Sequence, residues 1–261
     1  MTATATSATR RKRADLKRLV LEAGIEVLER DGLGLGAEGV TYAMVFEHLE
    51  QTAGIRVTRG SVHERIWDSQ RDFQSEILTS VVGSDLSALL ADSHALVDAT
   101  LQQADHSTHA ARGDALRHLI RVISRQHLDQ TNTPNRLALW RATVQSVLSR
   151  PSGDDDVASL RQVATASYRS YVAAQTQLYV DAAQTLGYRI RRVPGLTETQ
   201  VVEKWTSTML ARAAGFSIRD GAGLIETFDV PSGRDGTLEQ WDDFSFAVWQ
   251  VMSSFLENPP D

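Results

Sequence analysis

The sequence predicts an all-α protein in which a small N-terminal three-helix domain precedes a larger helical domain. Apolar residues recur every three or four positions through most of the 261 residues, as they do in amphipathic helices. Glycine and proline fall mainly between these periodic stretches, where they end helices. No stretch shows the pattern of strands alternating with helices that a parallel sheet requires. With 42% hydrophobic residues, the chain can bury a sizeable core.

The composition excludes several classes of protein. The chain contains no cysteine, which rules out disulfides, zinc–thiolate sites and thiol catalysis and fits a reducing compartment. No run of about 18 apolar residues is present, so we expect no transmembrane helix. The basic residues near the N-terminus are not followed by an apolar stretch, so we expect no secretion signal. Together these features predict a cytoplasmic protein.

Charge is distributed unevenly along the chain. The net charge is −6, yet residues 1–18 contain six basic residues and one acidic residue. That segment therefore carries +5 and the remaining chain −11. Residues 1–12 offer nothing to bury and are predicted to be a disordered basic tail. A basic arm on an acidic body is typical of proteins whose arm meets phosphate, although a solvated tail is the alternative.

The first predicted helix covers residues 16–30 and stops at Asp31-Gly32. The glycine-rich stretch after it matches the dinucleotide-binding pattern GxGxxG between Gly34 and Gly39. That motif requires a preceding strand and a surrounding βαβ unit, whereas here a helix precedes it. We therefore interpret the glycines as a flexible turn between helices.

Two further helices complete the small domain, which we place at residues 13–72. Thr41 is the expected cap of a second helix that runs to about residue 52, and Gly54 ends it. A third helix follows, capped by Thr58 or Ser61, and continues to about Trp67; Ser61 and the glutamate three positions later also fit a capping box. The second and third helices form a predicted helix-turn-helix.

The larger domain, residues 73–261, is predicted to begin with one long continuous helix over residues 73–103. Further helices are expected at residues 108–130, 135–150, 157–186 and 197–214. Residues 215–236 contain five glycines and a proline and are predicted to be a loop, with a possible helical turn at 222–227. A last helix is expected at residues 238–256.

The third helix presents small and basic residues at its N-terminal end, as a helix that enters the DNA major groove must. Arg59 is the best candidate for a guanine edge, since a good bidentate pair discriminates by about 1–3 kcal/mol. Thr41 is suited to a backbone phosphate. The alternative is that these are ordinary surface residues. The full candidate set is Arg10, Arg11, Lys12, Arg13, Thr41, Arg56, Thr58, Arg59, Gly60, Ser61, His63 and Arg65.

The stretch from Thr58 to His63, followed by Ile66 and by Asp72-Phe73, resembles the recognition-helix signature of TetR-family transcriptional regulators. The resemblance covers residues 16–78. It is atypical, because His63 and Ile66 stand where the family usually has tyrosine and phenylalanine. Two extra residues, Arg56-Val57, also lengthen the turn.

The resemblance implies a ligand-responsive regulator, most often a repressor, whose larger domain binds a small molecule and forms a homodimer through a four-helix bundle. The last two helices carry aromatic and apolar candidates for that interface: Trp205, Met209, Trp241, Phe244, Val248, Trp249 and Met252. Packing within one subunit is the alternative for each. The candidates for an effector pocket are Trp140, Tyr168, Tyr171, His94 and His118, with Tyr179 and His127 as further possibilities; ordinary core positions are the alternative.

Catalytic motifs are incomplete. The stretch from His63 begins like the zinc motif HExxH but reaches Trp67 where the second histidine is needed. No paired Glu-x-x-His sequences of a di-iron bundle and no G-x-S-x-G elbow occur. Asp105, His106 and His109 read as a solvated loop. We therefore expect no enzyme, cofactor or metal. The rival readings are a helical-bundle enzyme and an interaction module that uses the three-helix domain on a protein partner.

Overall fold

The computed structural model describes residues 13–33, 39–63, 65–150, 158–231 and 236–257 and confirms the all-α class. The helices are α1 (Arg13–Asp31), α2 (Tyr42–Ala53), α3 (Arg59–Val62), α4 (Gln70–Val82), α5 (Leu86–Gln103), α6 (His109–Asn132), α7 (Arg136–Ser149), α8 (Ala158–Thr185), α9 (Glu198–Gly221) and α10 (Asp243–Phe255). The short strands are β1 (Arg189–Ile190), β2 (Thr227–Pro231), β3 (Leu238–Asp242) and β4 (Leu256–Glu257). The predicted basic tail at residues 1–12 and the glycine turn at 34–38 lie outside the described residues.

The chain divides into two compact units. The first contains the described residues up to Ser84 together with Leu139–Ala164, and the second contains Asp85–Ala138 and Thr165–Asp261. This differs from the predicted boundary at residue 72. Trp140 shows why part of α7 belongs to the first unit, because its buried indole Nε1 donates to the carbonyl oxygen of Val82 at 3.3 Å.

In the first unit, α1 packs against α2 and α4 around an apolar core. Aromatic rings fill its centre: Tyr42 stacks on Phe73 with ring centroids 4.5 Å apart. Gly24 allows the close approach of α1 to α4, since a Cβ there would lie 2.5 Å from Ile77 Cδ1. The core residues of these helices and of the segment after α3 are Val20, Ala23, Val27, Leu28, Val45, Leu49, Val62, Trp67, Phe73, Ile77 and Val81.

The prediction of one continuous helix over residues 73–103 is wrong, because the structure divides this stretch into α4 and α5. The N–H of Gly83 donates to the Thr79 carbonyl at 2.8 Å and ends α4. Asp85 then starts a new helix by accepting from the backbone N–H of Ser87 at 3.0 Å. The apolar periodicity continues across the break, which is why the sequence pattern concealed it.

In the second unit, α6, α9 and α10 pack on one another, and α5 packs on α6. The antiparallel pair β1–β4 aligns Arg189 with Glu257 and Ile190 with Leu256. Buried residues from these helices, from α8 and the residue after it, and from β3 form its core, including Leu116, Leu119, Leu128, Leu178, Leu186, Val201, Trp205, Met209, Trp241, Phe244, Val248 and Met252.

The prediction of a loop over residues 215–236 is wrong, because the structure has regular secondary structure in much of this stretch. α9 continues to Gly221, and β2 and β3 then form an antiparallel hairpin that pairs Thr227 with Asp242. Burying Trp241 on β3 favours this strand pairing over a helix. The last helix begins only at Asp243, because Asp242 caps it by accepting from Ser245 N at 2.8 Å.

None of the helices in the described parts of the chain combines the length and the apolar character needed to cross a bilayer.

Candidate nucleic-acid interface

The turn that leads to the candidate DNA-binding residues begins with a well-capped helix. Thr41 Oγ1 accepts from the N–H of Met44 at 3.3 Å and so starts α2, as its sequence position predicts. The helix ends at Gly54, whose φ of 64° is left-handed. Its N–H donates to the Glu50 carbonyl at 3.2 Å, and the N–H of Ile55 donates to the Leu49 carbonyl at 3.1 Å.

Residues 55–58 connect α2 to α3 as a short irregular segment. Ile55 and Val57 are half-buried, whereas Arg56 and Thr58 are exposed. Of the two residues that lengthen this turn, Val57 therefore packs partly against the protein and Arg56 faces solvent. Arg56 is not free to act alone, because its Nη2 forms an exposed ion pair with Glu50 Oε1 at 2.7 Å.

The third helix is much shorter than predicted: α3 is a single turn from Arg59 to Val62. Thr58 precedes it as the N-cap, and Ser61 Oγ accepts from the Thr58 N–H at 3.3 Å and donates to the Thr58 carbonyl at 2.6 Å. The capping box predicted from Ser61 to residue 64 involves a glutamate outside the described residues. Helical geometry stops at His63, whose ψ is 137°.

The early end of α3 follows from the burial of Trp67. The N–H groups of Ile66 and Trp67 both donate to the Val62 carbonyl, at 2.9 and 3.3 Å. The Trp67 ring beside them is buried, at 3% exposure. Continuing the helix would forgo this arrangement, and a large aromatic ring contributes more by burial than one turn does by its hydrogen bonds.

The structure brings most of the predicted DNA-binding residues together on this stretch. Arg59, Gly60 and Arg65 are exposed, as are Arg56 and Thr58. The remaining described candidates have less exposure or lie elsewhere: Ser61, His63 and Thr41 are half-buried, and Arg13 is exposed at the start of α1. Arg10, Arg11 and Lys12 lie outside the described residues. We call the described residues 58–63 and 65–67 the recognition segment.

Aromatic contacts anchor the recognition segment to the helices beneath it. Trp67 meets Phe73 edge-on at 4.9 Å between centroids, and the His63 ring lies 6.5 Å from Tyr42. The Tyr42 hydroxyl donates to the Ser69 carbonyl at 3.3 Å. Burial raises the pKa of Tyr42, and the positive charge of Arg59 acts in the opposite direction. The sequence pattern marked Trp67 as apolar but carried no signal for the role of Tyr42.

The predicted effector residues are divided between the two units. Trp140 is buried in the first unit, Tyr171 is buried in the second, and His94 and His118 are exposed. Tyr168 is half-buried, and burial raises its pKa. The second unit instead contains an apolar cavity of about 40 Å³, whose lining includes Ser124, His127, Tyr179 and Phe244. Of the candidates for the effector pocket, only His127 and Tyr179 line this cavity, because they lie on the sides of α6 and α8 that face it.

The prediction that seven apolar residues of the last two helices form a dimer interface is wrong for six of them. They are buried within a single chain, because α6, α9 and α10 cover one another: Trp205, Met209, Trp241, Phe244, Val248 and Met252. Trp249 is half-buried beside Trp241, with ring centroids 6.1 Å apart. These six side chains, which the sequence analysis assigned to a dimer interface, therefore belong to the core of a single chain.

The described residues also contain no group of three or more His, Asp or Glu side chains placed to hold a metal ion. Asp105 is engaged locally, since its Oδ1 accepts from the Ser107 N–H at 2.8 Å. The ring Nε2 of His106 lies 2.9 Å from the Leu101 carbonyl.

Comparisons with protein-family models, with curated proteins and with solved structures found no match for this chain.

Proposed function

We propose that this protein is a sequence-specific DNA-binding regulator of transcription that acts as a homodimer and as a ligand-responsive repressor. The observation that carries the proposal is the exposed end of α3. A capped helix, a left-handed glycine and a short connection present Thr58, Arg59 and Gly60 to solvent, while Val62 and Trp67 anchor the segment from below.

In this proposal Arg59 reads a base edge and the N-terminus of α2 contacts the backbone. The Arg59 guanidinium matches the O6 and N7 acceptors of guanine, which no other exposed side chain of α3 does. The N-terminus of α2, which Thr41 caps, is the positive end of a helix dipole and suits a phosphate contact. Arg13 and the basic residues before it add sequence-independent attraction to phosphate.

A second copy is needed because one turn of helix reads few bases, and a two-fold dimer reads two half-sites about one helical turn apart. The outward face of α9 supports such a dimer. Besides charged side chains it includes small residues and one 72% exposed isoleucine: Ser207 (half-buried), Ala211, Ala214, Gly215 and Ile218. Small side chains let helices approach closely. Light scattering at micromolar concentration tests this, and a single subunit would contradict it.

The apolar cavity of the second unit supports the effector part of the proposal. Its volume of about 40 Å³ is well below that of an apolar cavity of about 150 Å³, which is large enough to bind benzene. A larger effector must therefore displace lining side chains such as Tyr179 or Phe244. That effector changes DNA binding only if it prefers the conformation that does not bind the operator.

Selection from a random library of duplex DNA with the full chain tests the DNA-binding function. We expect a two-fold symmetric site whose affinity falls with added salt. Arg59→Ala should weaken binding to that site about 10-fold and relax the preference at one base pair in each half-site. Arg192→Ala removes another exposed arginine, in the second unit, and serves as the matched control.

The selection also separates the rival readings. A chain that enriches no duplex sequence, or whose Arg59→Ala and Arg192→Ala variants behave alike, is not the regulator proposed here. An affinity for duplex DNA that did not change with salt concentration would favour a protein partner for the three-helix domain.

A further inference from the structure

The recognition segment contains too little helix to fix its own orientation. α3 has a single turn, closed by the bond from the His63 N–H to the Arg59 carbonyl at 2.8 Å. A helix this short has little stability of its own in water. Its direction is therefore set by whatever holds its ends, and Trp67 is the largest buried side chain of the segment.

The indole of Trp67 is held by a carboxylate. Its Nε1 donates to Glu76 Oε2 on α4 at 2.6 Å. The other oxygen of Glu76 pairs with Lys17 Nζ on α1 at 2.5 Å, and that ammonium lies 6.0 Å from the Trp67 ring centroid. One carboxylate thus joins α1, α4 and the recognition segment. Hydrogen bonds to an ionised acceptor are roughly twice as strong as neutral ones.

We propose that Glu76 is a positioning residue for DNA recognition: it fixes the Trp67 indole and thereby holds the recognition segment in its DNA-binding orientation. This inference rests on the proposed function. In the proposed complex with DNA, Glu76 contacts no base and no phosphate. Its effect is on the fraction of molecules whose segment is correctly placed, and the apparent dissociation constant rises in inverse proportion to that fraction.

The position of Glu76 separates this role from general stabilisation. The side chains of Glu76 and Lys17 are 34% and 40% exposed, so their ion pair contributes little to global stability. The aromatic contacts of Trp67 with Phe73 and Tyr42 remain when Glu76 is replaced. What is lost is the directional bond that selects one orientation of the indole. Local order should therefore fall while the melting temperature barely changes.

Three variants of the full chain test the proposal. Glu76→Ala removes the acceptor, Glu76→Gln keeps a neutral acceptor for the indole, and Lys17→Met keeps the Trp67 bond while removing the ion pair. Glu26→Gln is the matched control, because that glutamate pairs with His48 at 2.8 Å in the same unit but touches no residue of the segment.

Two measurements are made on each variant. The first is hydrogen exchange of the Trp67 indole N–H and of the amides of residues 59–63, without DNA. The second is affinity for the selected duplex and for a scrambled duplex of equal length. Glu76→Ala should speed exchange about 10-fold and weaken specific binding about 10-fold, equivalent to about 1.4 kcal/mol. Binding to the scrambled duplex should be unchanged.

The conservative variants give the direction of the effect. Glu76→Gln should lose only about 3-fold in specific affinity, since a neutral acceptor keeps the indole oriented more weakly. Lys17→Met and Glu26→Gln should keep the wild-type preference for the selected duplex over the scrambled one. Wild-type exchange and specificity in Glu76→Ala would overturn the proposal. If the intact protein selects no duplex, the proposed function falls, and the exchange of the Trp67 indole alone decides whether Glu76 orders the segment.

Discussion

Replacing Gly24 by alanine tests the packing on which the recognition segment rests. Gly24 lies in the middle of α1, and an added Cβ would meet Ile77 Cδ1 at 2.5 Å, Ile77 Cγ1 at 3.3 Å and Phe73 Cζ at 3.6 Å. Ile77 and Phe73 are both fully buried, so neither can move into solvent. The added methyl group must therefore separate α1 from α4 or force a poor rotamer.

Two opposing terms set the size of the effect. Alanine is favoured over glycine within a helix by about 1 kcal/mol. Inserting a methyl group into a packed core costs about 1–3 kcal/mol. We expect a net loss of about 1 kcal/mol in the free energy of unfolding of the first unit. The same shift moves α4 relative to α1 and so disturbs the Lys17–Glu76 pair, which spans these two helices.

Gly113→Ala is the matched control. It lies within α6, and its added Cβ would meet only the Tyr188 hydroxyl at 3.7 Å and Arg117 Nη1 at 3.8 Å, ordinary contact distances. This variant should gain about 0.5–1 kcal/mol. Exchange of the slowest amides of α1 and of α6 reports each effect in its own unit. A gain of equal size in both variants would refute the account of α1–α4 packing.

Other predictions concern the second unit. Val97→Ile adds a methyl group to the wall of the 40 Å³ cavity, and we expect a gain of about 0.5–1 kcal/mol by urea unfolding; a loss would show that the cavity cannot accept it. Hydrogen bonds from Ser87 lower the pKa of Asp85 from its ordinary value of 3.8. Its contribution to stability should therefore be present above that value and be lost as pH falls through the lower, folded pKa, whereas Asp85→Asn should lack this dependence. A carboxyl titration of Asp85 by NMR that matches an unfolded peptide would contradict it.

Local signals in the sequence were sufficient for much of the fold. The limits of α2 follow from Thr41 and Gly54, because a side-chain cap and a left-handed glycine act within a few residues of the chain. Apolar periodicity predicted α6 and α7 to within two residues. The exposed positions of Arg56, Arg59 and Arg65 were also predictable, since charged side chains seldom lie in a core.

Other features of the candidate site depend on contacts between distant residues. The end of α3 at His63 is set by the packing of Trp67 against Phe73, and the partner of the Trp67 indole is Glu76, nine positions away on another helix. No spacing rule predicts such a pair. The β2–β3 hairpin likewise depends on the burial of Trp241, which outweighs the glycine-rich composition around it.

Local sequence patterns were enough to establish that this chain is helical, where α2, α6, α7 and α8 begin and end, and which arginines are exposed beside a turn. Which aromatic rings face inward depended on the packing of the helices against one another. Trp205, Phe244 and Met252 have the spacing of either a core or an interface, and the helices that pack over them make them core. Helical periodicity shows that one face of a helix must be covered, but the covering surface is chosen by the folded chain as a whole.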